Sequence, residues 1–252
     1  TPVISSAASD VYKRQSLTLR PEELHLGIGS ESIADTSKIL STYGNAFMLR
    51  TDSDKKLDQF KKYSSIPIIN GLSPSSHPTQ VLSDIFTIQE IKKKSISKLK
   101  LCWIGDANNN MMNSLVEACI KFSVYLNIAC PKSYQPNKKL VSLIKKQKGK
   151  IKIFSKKEIA IKNSDVVMTD KIISLNDKVN KKKKLKSFKN FKVDTKTMNL
   201  AKKDAIFLHC LPRGNEVTEE VFLGKQSKVW QQALNRVYVQ KSILLYCFGK
   251  LR

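Results

Sequence analysis

Short unbroken apolar runs alternate with amphipathic stretches along most of this chain, and that alternation does most to restrict its fold. The runs are NAFMLR (45–50), IPIIN (66–70), LKLCWIG (99–105), YLNIAC (125–130), KIKIF (150–154), DVVMTD (165–170) and AIFLHCL (205–211). A strand with one wet face alternates apolar and polar residues, whereas these runs do not, so they read as strands covered on both faces of a parallel sheet. Helical spacing fills the gaps. Residues 32–43 put Ile33, Thr36, Ile39 and Leu40 on one side, and 81–91 do the same with Val81, Leu82, Ile85, Phe86 and Ile88. A helix over 113–122 follows a strand and opens on Asn113, a capping-type residue. The last helix, 227–248, is long enough to cross between two lobes. Strand–helix alternation predicts an α/β fold with right-handed crossovers. The polar, Lys-rich stretch 92–98 marks the domain break, and no internal repeat is visible.

Composition narrows the function classes. With 252 residues, 41% of them hydrophobic, the chain can bury a sizeable core as one domain or two. No stretch approaches the roughly 18 apolar residues of a membrane span, and residues 1–15 lack the apolar core of a secretory leader. Cys102, Cys119, Cys130, Cys210 and Cys247 are scattered, odd in number and never spaced C-x-x-C. That disfavours disulfides and zinc and points to a reducing compartment, the cytoplasm. The net charge of +24 invites a polyanion partner. However, of 45 basic residues only those at 14, 20, 50, 213, 236 and 252 are Arg, the residue suited to bidentate recognition of bases and phosphates. The lysines read as solvated helix faces and compositional bias, so nucleic acid is disfavoured and polyanion binding stays an alternative.

In open α/β sheets, ligands bind beyond the carboxyl ends of the strands. Polar clusters fall at those places: Arg50-Thr51, 70–80, 106–110, 170–174 and His209-Cys210. A cleft enzyme is the leading reading. No G-x-G-x-x-G or phosphate-cradling P-loop occurs, which disfavours a nucleotide cofactor. FLHCLP (207–212) leaves four roles for Cys210: nucleophile, metal ligand, buried thiol or substrate contact. Cys102, Cys119, Cys130 and Cys247 read as core thiols, and His209 as structural.

HPTQ (77–80), WIGDANNN (103–110), MTD…S (168–174), FLHCLPR (207–213) and LNR (234–236) together resemble ornithine carbamoyltransferase, in order and spacing. LHLGIGSESIADT (24–36) and INGLSPSSHPTQVLSDIFTIQE (69–90) extend the likeness to nearly the whole chain. Aspartate carbamoyltransferases have proline at the position of Cys210, so the cysteine favours the ornithine branch. The resemblance implies two Rossmann-like lobes with parallel sheets, joined by a long C-terminal helix. It divides the chain into a carbamoyl-phosphate-binding domain (16–94), an ornithine-binding domain (95–226) and a returning helix (227–252). It implies transfer of the carbamoyl group of carbamoyl phosphate to the δ-amine of L-ornithine, giving citrulline and phosphate without a cofactor. Arg50, His77, Gln80 and Arg236 would hold carbamoyl phosphate, with His25 reaching the phosphate of a neighbouring subunit in a homotrimer. Asn110, Ser174 and Leu175 would bind ornithine, and Asp170 and Cys210 would orient its reacting amine. Arg50, His77, Asp170 and Cys210 are thus the catalytic candidates, with Cys210 a contact and not a nucleophile.

Two departures stand beside the likeness. The family's Ser-Thr-Arg-Thr-Arg loop, which binds phosphate at a helix N-terminus, has no counterpart upstream of LHLG. Residues 1–15 resemble nothing in the family and read as a foreign segment before an incomplete first lobe. A chain so truncated is expected to bind carbamoyl phosphate weakly, to be nearly inactive and to be poorly stable. The family's Ser-Met-Gly acceptor loop reads Ser174-Leu175-Asn176 here, which keeps another amine acceptor such as putrescine as an alternative. A non-catalytic homologue is the remaining one.

Overall fold

The computed structural model describes residues 17–20, 31–173 and 180–251. They fall into two compact units, one of Thr1–Thr79 with Leu234–Arg252 and one of Gln80–Ala233.

In the first unit, α1 (Ile33–Tyr43) is capped by Ser32, whose Oγ accepts from the Asp35 N–H at 3.1 Å. Strand β1 (Phe47–Arg50) pairs in parallel with β2 (Ile68–Leu72), and α2 (Asp54–Tyr63) lies between them in sequence, capped by Ser53. Leu40, Leu49 and Phe60 form the core, and the Phe47 and Phe60 rings stack at 5.7 Å. The buried face of α1 keeps Thr36 and Leu40 of the set expected from spacing, with Ile33 packed against the core, but it is rotated towards Ser37 and away from Ile39. Ser37 is buried and donates to the Phe60 carbonyl at 3.0 Å, whereas Ile39 is 44% exposed. A buried hydroxyl is tolerated there because it has that carbonyl as partner.

The second unit is an open parallel sheet. Its strands are β3 (Lys100–Ile104), β4 (Tyr125–Ala129), β5 (Ile151–Phe154), β6 (Val166–Asp170) and β7 (Ile206–Cys210), in the order β5-β4-β3-β6-β7. Its longer helices are α3 (Pro78–Lys92), α4 (Asn110–Lys121) and α5 (Lys138–Lys146), while α10 (Val229–Cys247) starts in this unit and has most of its length in the first. The shorter ones are α6 (Lys157–Ile161), α7 (Lys181–Ser187), α8 (Thr195–Met198) and α9 (Glu219–Leu223). The unit boundaries fall within the first turn of α3 and within α10.

The unbroken apolar runs have a direct cause in this sheet. Leu101 and Trp103 of β3 enter one core cluster and Cys102 and Ile104 the other. Likewise Ile206 and Leu208 of β7 lie on one side and Phe207 on the other. Side chains alternate faces along a strand, so two dry faces require apolar residues at every position. Each such large side chain contributes about 1.5–3 kcal/mol on burial. The α3 stripe is narrower than its sequence suggests: Val81, Ile85 and Ile88 are buried, while Leu82 and Phe86 are about two-fifths exposed. Positions i, i+4 and i+7 share one face, and i+1 and i+5 lie roughly 100° around from it.

From β3 the chain proceeds to β4 and β5 on one side, then returns with β6 and β7 on the other. The sheet therefore has its topological switch between β3 and β6, where such sheets bind ligands. Among the described residues, no helix is long and apolar enough to cross a membrane.

Candidate active site

The turn after β3 is built to leave side chains at this switch. Gly105 sits at φ +149°, a conformation side-chain-bearing residues rarely adopt, and a Cβ there would come within 3.3 Å of the Thr169 hydroxyl of β6. Asp106 then closes the turn. One carboxylate oxygen accepts from the Asn108 N–H at 2.9 Å, and its main-chain carbonyl accepts from the Trp103 indole at 3.1 Å and the Asn109 amide at 3.2 Å. Its other carboxylate oxygen meets the Lys184 ammonium at 2.7 Å, and both side chains are under one-tenth exposed. Lys184 comes from a run of four lysines and is buried where solvation of all four was expected. The N-cap of α4 is Asn109, accepting from the Met112 N–H at 2.8 Å, so the helix starts at Asn110 and not at Asn113. Asn110, half-buried in the first turn, is not the residue that caps this helix.

At the carboxyl ends of the neighbouring strands, Asp170 and Cys210 are register partners. Asp170 accepts from the Lys171 N–H at 2.7 Å. Burial pushes its pKa up to about 6; that N–H and His209 oppose the shift, and Glu216 and Asp84 add to it. Cys210 is buried, and a cis Leu211–Pro212 bond follows it.

His209 faces the opposite side of β7, within ring contact of Phe207 and Phe222. Its Nε2 lies 2.8 Å from a Glu216 carboxylate oxygen, which also accepts from the Gly214 N–H at 2.5 Å. Burial alone would raise the Glu216 pKa, but the hydrogen bonds from His209 and Gly214 hold it below the usual value. His209 thus anchors the loop after β7 and is not a base beside Cys210.

A buried amide–carboxylate chain was not apparent from the sequence. Gln80 and Gln232 both donate their amide N–H to the same Asp84 oxygen, at 2.8 and 2.7 Å, and the His209 N–H donates to the Gln232 amide oxygen at 3.0 Å. Asp84 is 0% and Gln232 1% exposed. The signals for Asp84 were its charge inside the otherwise apolar stripe of α3 and its place in the 69–90 stretch.

In the first unit, Arg50 is the last residue of β1, just past a register shift between Leu49 and Arg50. His77 directly precedes α3 and follows a loop held by Asn70, whose amide donates to the Ser76 hydroxyl at 2.8 Å. Pro78 suits the first helical position because its missing N–H would have no partner there. Burial lowers the His77 pKa to about 3, and the positive charges of Arg236 and Arg50 push in the same direction. The first unit therefore brings Arg50, His77 and Arg236 together. It offers two cations beside a neutral imidazole, a set suited to an anionic oxygen group with an adjoining neutral carbonyl.

Gln80, Asn110, Asp170 and Cys210 belong to the second unit. His25, Ser174 and Leu175 lie outside the described residues. The cysteines Cys102, Cys119 and Cys130 are buried as expected, and burial pushes their thiols up, to about 12 for Cys119 and Cys130, while Cys247 is only partly buried in the last turn of α10. Among the described residues, no three His, Cys, Asp or Glu side chains are grouped as a metal site requires.

Two domain families match the chain. Residues 4–90 match the carbamoyl-P binding domain of aspartate/ornithine carbamoyltransferase, starting inside the segment 1–15, and residues 97–247 match its Asp/Orn binding domain. The ornithine carbamoyltransferase of Caldicellulosiruptor saccharolyticus is 43% identical over 243 residues, covering 94% of this chain and 78% of that protein. That of Methanococcus maripaludis is 43% identical over 241 residues, covering 92% and 78%. Among solved structures, ornithine carbamoyltransferase from Pyrococcus furiosus aligns with a TM-score of 0.90 at 35% identity, covering 99% of this chain and 81% of that one. The anabolic enzyme of Campylobacter jejuni aligns with a TM-score of 0.90 at 36% identity, covering 98% and 83%.

Proposed function

The chain belongs to the aspartate/ornithine carbamoyltransferase family, and on that premise we propose that it transfers the carbamoyl group of carbamoyl phosphate to the δ-amine of L-ornithine. The products are L-citrulline and phosphate. The observation that carries the acceptor side is the pairing of Asp170 with Cys210 at adjoining strand ends, beside the switch between β3 and β6.

The reaction forms one C–N bond and breaks one C–O bond. The neutral δ-amine attacks the carbamoyl carbon, the bond to the phosphate oxygen breaks with its electron pair on phosphate, and the amine's proton ends on phosphate. An alkyl amine has a pKa near 10, so most of it is protonated at neutral pH and must lose a proton before attack. Asp170, with its pKa raised to about 6, is ionised at neutral pH and accepts a hydrogen bond from that amine. Cys210 orients the amine from the next strand without forming a bond to it. Asn110, Ser174 and Leu175 hold the amino-acid portion of ornithine.

Carbamoyl phosphate falls to Arg50, His77, Gln80 and Arg236. The two guanidinium groups match the phosphate charge and stabilise it as leaving group. The imidazole of His77, neutral because its pKa lies near 3, donates to the carbamoyl oxygen without placing a third cation there. Gln80 accepts from the carbamoyl amide. We assign carbamoyl phosphate binding to residues 16–94, ornithine binding to 95–226 and a returning helix to 227–252. We further propose a cytoplasmic homotrimer in which His25 reaches the phosphate of the neighbouring subunit; a light-scattering mass other than three chains overturns that assembly.

The test is direct product assay with carbamoyl phosphate and ornithine, aspartate or putrescine as acceptor. Citrulline from ornithine is expected at a low rate, in keeping with the weak carbamoyl phosphate binding anticipated from the sequence, yet at least tenfold faster than product from either competitor. Preference for putrescine would redirect the acceptor assignment, and no product with any amine would sink the transferase reading.

A further inference from the structure

The Gln80–Asp84–Gln232 chain has a chemical direction. An ionised carboxylate only accepts hydrogen bonds, whereas a primary amide donates from one end and accepts at the other. Both glutamines turn their nitrogen to the same Asp84 oxygen, at 2.8 and 2.7 Å. Gln232 then has its oxygen left to accept from the His209 N–H, at 3.0 Å, on the strand that ends in Cys210. Gln80 presents its oxygen, not its nitrogen, as the amide end opposite Asp84. A glutamine alone can rotate its amide by half a turn and offer either end. Here rotation would set a carbonyl oxygen against a buried carboxylate oxygen with no solvent to screen them.

We propose that Asp84 is a positioning residue that fixes the polarity of this relay, so that Gln80 meets the carbamoyl N–H as an acceptor while Gln232 holds the His209–Cys210 strand end. The proposal rests on Gln80 contacting the carbamoyl amide. It deepens that reading by making discrimination of an NH2-bearing donor a property of a residue that never touches it. Asp84 lies in the 69–90 stretch but outside HPTQ, and Gln232 lies in none of the motifs from which substrate contacts were drawn. Preorganised dipoles of this kind favour one ligand because they need not reorient when it binds.

Inorganic phosphate separates this role from a structural one, because it shares the phosphate contacts and lacks the carbamoyl amide. In the whole protein, Asp84→Ala is expected to raise KM for carbamoyl phosphate about 10- to 100-fold, the range for losing a charge-assisted hydrogen bond. The inhibition constant of phosphate against carbamoyl phosphate should change less than about twofold, since no contact to the phosphate group is lost. Equal weakening of both, or of neither, overturns the proposal.

A reversed pair guards against misfolding of the alanine variant. Gln80→Glu opposes two carboxylates and should lose carbamoyl phosphate affinity. Adding Asp84→Asn supplies an amide nitrogen that donates to the new carboxylate, whose second oxygen still accepts. The double variant should recover at least about tenfold over Gln80→Glu, the worth of one such bond. A double variant no better than the single one overturns the proposal. A wild-type protein that makes no citrulline removes the parent reading as well, whereas an active wild type with unchanged Asp84 variants removes only the relay.

Discussion

His77 and Asp170 have shifted pKa values with opposite meanings for pH. The His77 imidazole is held neutral down to about pH 3, first by burial and then by Arg236 and Arg50. Unfolded, it would take a proton near pH 6.5. Between those values the unfolded chain binds the extra proton, so this residue makes stability fall as pH drops from about 6.5 towards 3, by up to about 1.4 kcal/mol per pH unit. Urea unfolding from pH 7 to 5 should show that slope, and His77→Gln should flatten it. Asp170 has its pKa raised to about 6, so its carboxylate is lost at mildly acidic pH while an ordinary Asp is still ionised. kcat/KM for ornithine should decline with an acid limb near pH 6. Asp170→Asn should lower kcat/KM about 10²- to 10⁴-fold, the range for removing a proton-handling group, and abolish the limb. A limb that persists in Asp170→Asn assigns it to another group. HPTQ and MTD made both residues legible in the sequence, but not their charge states, which depend on burial and on neighbours distant along the chain.

At the scale of elements, the turn between β3 and α4 depends on a partner from far along the chain. Asp106 and Lys184 meet at 2.7 Å with little water access, and the Lys184 ammonium also lies 5.5 Å from the centre of the Tyr134 ring. Removing one member of a buried ion pair leaves the other charge uncompensated, at a cost of about 3–5 kcal/mol. Lys184→Met should therefore lower the melting temperature far more than Lys183→Met on the same short helix. KM for ornithine should rise with it, because Asp106 shapes the turn that leads to Asn110. Equal effects of the two substitutions would show the pair to be idle. Every predicted strand formed with ends within two residues, because a run dry on both faces carries its signal at every position. Lys184 was illegible because KKKKLK has the composition of a solvated face, and only tertiary pairing distinguishes the one buried member. The α4 cap is hard to read from sequence for a related reason. Three consecutive asparagines, 108–110, are equally good caps by type, and the hydrogen bond from Asn109 to Asp106 selects the middle one.

For the whole molecule, the net charge of +24 is the dominant global property. Like charges on a compact body repel, and the repulsion weakens when salt shortens the screening distance to about 10 Å at 0.1 M. Thermal stability should rise between 20 and 300 mM sodium chloride, and a melting temperature that falls instead would mean that salt-sensitive attractive pairs outweigh repulsion. The α/β class and the parallel sheet were readable from patterning alone, while the strand order, and so the switch beside Asp106 and Asp170, was not. Order depends on which crossover folds to which side, and no local residue pattern encodes that. The two tryptophans divide as sharply as the two dry faces of the sheet. Trp103 is fully buried with its indole N–H on the Asp106 carbonyl, and Trp230 is 62% exposed. The protein should therefore emit light from two separable sources: a blue component shielded from quenchers and a red one open to them. Collisional quenching by iodide removes the red signal and leaves an intrinsic optical gauge on the very turn that opens towards Asn110, readable without any label.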